Sequence, residues 1–175
     1  MTLRAGSLVL YKNRPARVLG VSDKIDIDLG EGKTKRVRDK DVVALHPGPV
    51  QSLAELGVPP GSIEEAWELA AGERLNRADL AGLAFGDFTP ATAWAAWQAV
   101  SEGVYFEGSP DAVVARSADV VAAIVAEREA KVRAEREWRD FLERIDRGAI
   151  VPDDRSRLAE VERVALGKSA ASRIM

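Results

Sequence analysis

The sequence predicts an α+β protein in which a small SH3-like β-barrel is followed by a winged helix, a long charged helix and a C-terminal helix. Three observations predict this fold class. Five short, mostly alternating apolar runs come first, three capped helical segments and a hairpin follow them, and a long polar helix comes next. The predicted division is a barrel at 1–48, a linker at 49–61, a winged helix at 62–117, a helical arm at 118–147 and a C-terminal helix at 148–175.

The barrel is predicted from strand-length apolar runs separated by turn residues. Turn chemistry occurs at Asn13-Arg14 and at Gly30-Glu31-Gly32. Five short strands within the first fifty residues are typical of a small barrel. The expected strands are Gly6–Lys12, Pro15–Val21, Lys24–Leu29, Lys33–Arg38 and Val42–Leu45.

The winged helix is predicted from start and stop signals that occur in the order helix, helix, helix, hairpin. N-cap residues precede each helix and glycines end them. The expected helices are Ile63–Ala71 after Ser62, a second from Asn76 to Gly86, and a third from Thr89-Pro90 to Gly103. The expected hairpin joins Val104–Phe106 to Ala112–Ala115 through Glu107–Asp111.

The third helix would read DNA if this were a DNA-binding winged helix. Between Thr89 and Glu102 it contains no lysine or arginine, and Gln98 is its one amide side chain. Contacts to phosphates and base edges need such groups, so the sequence argues against DNA reading by this helix. We expect Trp94 and Trp97 to pack in the core, because tryptophan buries a large area.

The arm is predicted to start after Ser117 and to run to about Arg147. Its middle is polar nearly all round, with Glu and Asp four residues before Lys and Arg, as at Asp140/Arg144 and Glu143/Arg147. An apolar stripe returns near its end, and it needs to be covered by a last helix, expected at Asp153–Leu166, or by a partner. This candidate packing surface for a partner or a catalytic domain consists of Trp138, Phe141, Leu142 and Ile145.

Charge is distributed unevenly although the net charge is only −3. Residues 1–46 contain ten Lys and Arg against six Asp and Glu, whereas residues 62–117 contain three against nine. A contact with a polyanion is therefore expected in the barrel. The candidate RNA-binding residues are Lys12, Arg14, Arg17, Lys33, Lys35, Arg36, Arg38 and Lys40.

Two interpretations of the segment Lys33–Lys40 stay open. Five cations in these eight residues could form a phosphate-binding patch. Charges on an edge strand also prevent sheet-to-sheet aggregation, which requires no ligand. Tyr11 is the one aromatic side chain in this region that could stack on a base.

Residues that would support catalysis are scarce. The chain has no cysteine, a single histidine (His46), and none of the common phosphate-loop, dinucleotide, zinc-protease or serine-hydrolase motifs. Asp26 and Asp28 alternate with apolar residues and are interpreted as the solvent face of a strand. We therefore expect no enzymatic activity, no metal and no cofactor in this chain alone. Without a membrane segment or a leader pattern, a cytoplasmic location is expected.

Seven phrases of the sequence and their order are informative together. They are Gly6–Lys12, Ala16–Leu19, Lys33–Arg38, Leu45–Pro49, Ala66–Leu69, Leu80–Pro90 and Val104–Gly108. In this order they resemble the N-terminal region of bacterial exoribonucleases of the RNase II/RNase R superfamily, and the closest likeness is to members whose N-terminal domains are not a pair of cold-shock folds. No single motif is diagnostic, because the specificity lies in the order.

The resemblance implies a parent protein that degrades RNA from the 3′ end in a Mg-dependent reaction. In that family a cluster of aspartates holds the metal in a downstream catalytic domain, and no counterpart of the cluster occurs in this sequence. The chain is therefore expected to be the non-catalytic front of such an enzyme, or a short relative, that binds single-stranded RNA and braces the catalytic domain. The alternative is a protein–protein interaction module built on the winged helix, without nucleic-acid binding.

Overall fold

The computed structural model describes residues 2–70, 72–149, 151–155 and 157–159 as a mixed α+β protein. The chain divides into two compact units, Met1–Ile124 and Val125–Met175. The first unit holds a five-stranded antiparallel sheet and a second region of helices with a three-stranded sheet. The five-part division expected from the sequence stays a prediction.

The first sheet has five strands in the order β4-β3-β2-β1-β5. Its first turn lies at Lys12-Asn13, one residue earlier than expected, and both residues have positive φ angles (51° and 61°). This left-handed pair is what a two-residue hairpin with the twist of its strands requires. The strands are β1 Leu8–Tyr11, β2 Arg14–Val21, β3 Ile25–Asp28, β4 Thr34–Val37 and β5 Val42–His46.

The sheet curls around one core, but its ladder is not closed. Buried side chains from β1 to β4 form a single cluster that includes Val9, Val18, Ile27 and Val37. Among the described strands, β4 and β5 are the two edges and do not pair, and a 3-10 turn at Asp39–Asp41 joins them. The expectation of a barrel is therefore corrected to a curled, open five-stranded sheet.

Side-chain caps fix the three helices of the second region. The helices are α1 Ile63–Leu69, α2 Arg77–Phe85 and α3 Pro90–Glu102. The Ser62 hydroxyl accepts from the Glu65 amide, and Asn76 and Thr89 cap α2 and α3 in the same way. Gly86 and Gly103 end α2 and α3 in the left-handed conformation, as the sequence predicts.

The hairpin after α3 belongs to a three-stranded sheet. Its strands are β7 Phe106–Ser109 and β8 Ala112–Ala115, so the connecting turn is Pro110-Asp111 and is shorter than the predicted loop. A third strand, β6 Arg74–Leu75, pairs with β8 and was not predicted. Three helices and a hairpin completed by a short strand are the arrangement of a winged helix, and we call residues 62–117 the winged-helix segment.

A 29-residue helix, α4, runs from Ala118 to Asp146. The chain then turns back, and a 3-10 turn at Pro152–Asp154 follows. The predicted last helix, Asp153–Leu166, lies mostly outside the described residues; within it, 155 and 157–159 are helical. No helix in the described part of the chain is long and apolar enough to cross a membrane.

Candidate nucleic-acid interface

The eight candidate cations lie in or beside the five-stranded sheet, but they do not form one surface. In β4, Lys35 is registered opposite Ile27, which is a core residue, and Arg36 is opposite Asp26. Adjacent residues of a strand point to opposite faces, so Lys35 and Arg36 stand on different sides of the sheet. The basic segment of the sequence is therefore divided between two faces.

Half of the candidate cations form ion pairs with carboxylates. Arg17 also donates to the backbone carbonyl of Gln51, which ties β2 to the segment after the sheet and gives Arg17 a structural role. The Arg38 guanidinium, through its hydrogen bond, lowers the pKa of Asp41. The pairs are Arg17–Asp28 at 3.1 Å, Lys33–Glu31 at 2.8 Å, Arg36–Asp26 at 3.7 Å and Arg38–Asp41 at 3.0 Å.

Three of the other cations surround Tyr11. The Nζ atoms of Lys12 and Lys35 lie 5.8 Å and 5.2 Å from the centroid of the Tyr11 ring, and Arg14 is registered directly opposite Tyr11. Within the described residues, none of the three is ion-paired to a carboxylate. We call Tyr11, Lys12, Arg14 and Lys35 the Tyr11 cluster. Lys40, which is exposed, follows β4 in the 3-10 turn.

The helix that would read DNA packs against the first sheet instead. Trp94 and Trp97 of α3 contact the core formed by Leu8, Leu10 and Leu45. Trp97 donates from Nε1 to Asn13 Oδ1 at 3.1 Å, and Asn13 donates from Nδ2 to Ser101 Oγ at 3.0 Å. Packing of both tryptophans is as expected, although their partner is the sheet. This face of α3 is therefore covered within the same unit.

His46 lies at the same junction and is 7% exposed. Its Nδ1 accepts from the Gly48 amide at 2.9 Å, and its Nε2 lies 3.2 Å from the Phe88 carbonyl oxygen. An acceptor nitrogen facing an amide and a donor facing a carbonyl describe a neutral ring. Burial lowers the pKa of His46, which favours the same form.

The apolar stripe near the end of α4 is partly covered by the returning chain. Phe141 is fully buried, and the Trp138 ring lies tilted against it with the ring centroids 5.1 Å apart. The Arg157 guanidinium lies 5.8 Å from the centroid of the Phe141 ring. Leu142 and Ile145 remain 48% and 37% exposed. The sequence predicted that either the last helix or a partner covers this stripe. For Phe141, the structure describes a covering by the same chain.

Hydrogen bonds of Asp154 and Arg157 hold the returning chain. Arg144 donates from Nε and Nη2 to the carboxylate of Asp154 at 3.0 Å and 2.6 Å, and Asp154 also accepts from the Val151 amide at 3.2 Å. The predicted Glu143–Arg147 pair forms at 3.4 Å. Arg144, predicted to pair with Asp140, forms its described ion pair with Asp154.

No group of three or more His, Asp or Glu side chains within the described residues could hold a metal ion. Asp26 and Asp28 lie on the outer face of β3, as expected, where Arg36 and Arg17 neutralise them.

The sequence identified Tyr11, Lys12 and Lys35 as separate candidates, but it did not predict that they lie close together. Tyr11 and Lys35 are three strands apart in the sheet order, so they meet only because the sheet curls. The register of the β3–β4 hairpin could have indicated this contact, because it places Lys35 beside Ile27 on the core face.

One comparison links the chain to a known family. A family model described as a double HTH domain, and named for RNase II, matches residues 121–175. This segment starts inside α4 and lies beyond the winged-helix segment, so the match rests on other residues than the phrases between Gly6 and Gly108. No curated protein and no solved structure matches the chain. The chain is thus linked to RNase II-type proteins through its residues 121–175.

Proposed function

We propose that this chain is an RNA-binding and scaffolding region of an RNase II-like exoribonuclease, which degrades RNA from the 3′ end. The observation that carries the proposal is the match of residues 121–175 to the double HTH domain named for RNase II. In this proposal the chain is not itself catalytic, and a Mg-dependent catalytic domain belongs to the parent protein. Its partners are single-stranded RNA and that domain.

The RNA contact is proposed at the sheet and not at the winged-helix segment. The sheet region has the surplus of basic side chains, and the Tyr11 cluster supplies three cations without carboxylate pairs in the described residues. The winged-helix segment has nine acidic against three basic side chains, and one face of α3 is covered by the sheet. Lysine and arginine side chains that neutralise phosphates release the counterions of the RNA, so the surplus of cations favours the sheet.

The test is binding of a fluorescent single-stranded RNA to the full chain, measured by anisotropy at several salt concentrations. Lys35→Gln should weaken binding and reduce the magnitude of the salt slope by about 0.7, the value for one phosphate contact on a single strand. Arg74→Gln removes the same charge from an exposed position on β6 and should change neither quantity. Absence of RNA binding, or equal effects of the two variants, would contradict the proposal.

A protein–protein interaction module is the second candidate, and the exposed Leu142 and Ile145 favour it. In that case the chain would self-associate or bind a protein through α4. Sedimentation of the wild type and of a Leu142→Glu variant distinguishes the two candidates. A dimer that Leu142→Glu dissociates, together with indifference to RNA, would support the second.

A further inference from the structure

The tip of the β1–β2 hairpin is held in a fixed position. Asn13 is hydrogen-bonded to both Trp97 and Ser101 of α3 through its side-chain amide. Lys12 has a φ of 51°, in the left-handed region that residues other than Gly, Asn and Asp rarely adopt. The turn therefore holds Lys12 beside Tyr11 at some cost to stability.

The surroundings of Tyr11 are unusual for a residue that only closes a core. Its ring packs against the sheet core with one part exposed, and two ammonium groups lie within 6 Å of it. A cation near an aromatic ring at an exposed site contributes only about 0.5 to 1 kcal/mol. Three neighbouring cations without a described carboxylate also repel one another. An anion bound between them would relieve this repulsion.

We propose that Tyr11 is a stacking platform for one nucleobase of single-stranded RNA, with Lys12, Arg14 and Lys35 binding the phosphates on either side. The base takes the ring face over which the Lys35 ammonium now lies, and Lys35 turns to a phosphate. Every base has a π face, so the subsite accepts any of the four. This inference rests on the proposed function and adds the residue and the nucleotide part that it recognises.

The experiment compares two RNAs of equal length and charge, one normal and one whose nucleotides lack their bases, on the full chain. Stacking of one base contributes about 1 to 3 kcal/mol, which corresponds to about 5- to 150-fold in affinity. The wild type should prefer the normal RNA by this factor. Tyr11→Leu should lose the preference by weakening only the normal RNA, and Tyr11→Phe should keep it. The unmodified protein alone thus provides one readout that does not depend on the folding of a variant.

The outcomes separate the two proposals. If the wild type binds both RNAs equally, with a clear salt dependence, the stacking site is wrong and the basic contact stands. The same conclusion follows if Tyr11→Leu, shown to be folded by circular dichroism, keeps the full preference. If the wild type binds neither RNA, the RNA-binding part of the proposed function itself is wrong.

Discussion

At the scale of single residues, Lys12 combines a costly backbone conformation with a position in the Tyr11 cluster. Glycine adopts a φ of 51° freely, so Lys12→Gly should leave the free energy of unfolding unchanged or raise it by up to about 1 kcal/mol. The same change removes a cation and should weaken RNA binding. Urea denaturation and anisotropy measure the two effects. A clear loss of stability would show that Lys12 has a structural role instead.

His46 predicts how the stability of the first unit depends on pH. Burial lowers the pKa of His46 in the folded protein, so the unfolded chain binds the proton more readily. The contribution of the neutral ring is complete above the unfolded pKa of about 6.5 and is lost as the pH falls below it. The free energy of unfolding, measured in urea between pH 5 and 7.5, should therefore decrease towards acid.

The control for this prediction is His46→Gln. It should flatten the pH dependence in this range and lower stability at pH 7.5 by about 1 to 2 kcal/mol, because the Gly48 amide and the Phe88 carbonyl lose their partner. An unchanged slope in the variant would assign the titration to another group.

Residue types in the sequence were sufficient to nominate the cations but not to assign their roles. Arg17 and Lys35 are both basic residues on predicted strands. Arg17 pairs with Asp28 and Gln51, whereas Lys35 lies over Tyr11. The difference depends on which strands the curl and the register bring together, and local patterns contain no information on contacts this far apart in the chain.

At the scale of elements, the contact of α3 with the first sheet includes the hydrogen bond from Trp97 to Asn13, and a double-mutant cycle can measure its contribution. Trp97→Phe and Asn13→Gly each remove the bond from Nε1 to Oδ1, and glycine keeps the φ of 61°. The two changes should therefore be coupled by about 0.5 to 1.5 kcal/mol in the free energy of unfolding.

The matched control is Trp67→Phe. Trp67 donates its own Nε1–H to the Arg116 carbonyl at 2.7 Å, so this bond does not involve Asn13. Combined with Asn13→Gly, it should be additive to within about 0.5 kcal/mol. Coupling as large as that of Trp97 would mean that Asn13 acts through the whole segment and not through this contact.

The fold-back after α4 depends on Asp154, which is 1% exposed and accepts from Arg144 and Val151. Asp154→Asn should loosen residues 151–155, which amide hydrogen exchange would report as reduced protection. Arg147→Gln, which breaks an exposed ion pair one turn away, should have no such effect.

The Arg144 guanidinium lowers the pKa of Asp154, so in the wild type the attachment should persist down to the ordinary range of aspartate, about 3.9, and weaken below it.

Elements with a local signal could be predicted, and those without one could not. Ser62, Asn76 and Thr89 start their helices as expected, since a cap acts on the amides of its own first turn. The strand β6 is two residues long and has no periodicity; only its pairing with β8 defines it. The open edge between β4 and β5 is likewise a property of pairing, which strand-length runs do not determine.

At the scale of the whole molecule, basic and acidic side chains are separated along the chain. Basic side chains outnumber acidic ones in residues 1–46, and acidic side chains outnumber basic ones in residues 62–117. The acidic part contains α3, the helix that would enter a major groove. That helix packs its tryptophans on the sheet. The winged-helix segment is therefore expected to support the sheet and not to bind a nucleic acid itself.

This separation predicts a preference for single-stranded RNA over duplex DNA. A single strand can follow the Tyr11 cluster with its phosphates on the three cations, which corresponds to a slope of log affinity against log salt of about −2. In duplex DNA the bases are paired and stacked on one another, so none of them can stack on Tyr11, and α3 has no cation to offer for contacts in a groove. Unlabelled duplex of the same length should therefore compete poorly for bound RNA in an anisotropy assay. Competition as strong as that of unlabelled RNA, unaffected by Lys35→Gln, would place the contact outside the sheet.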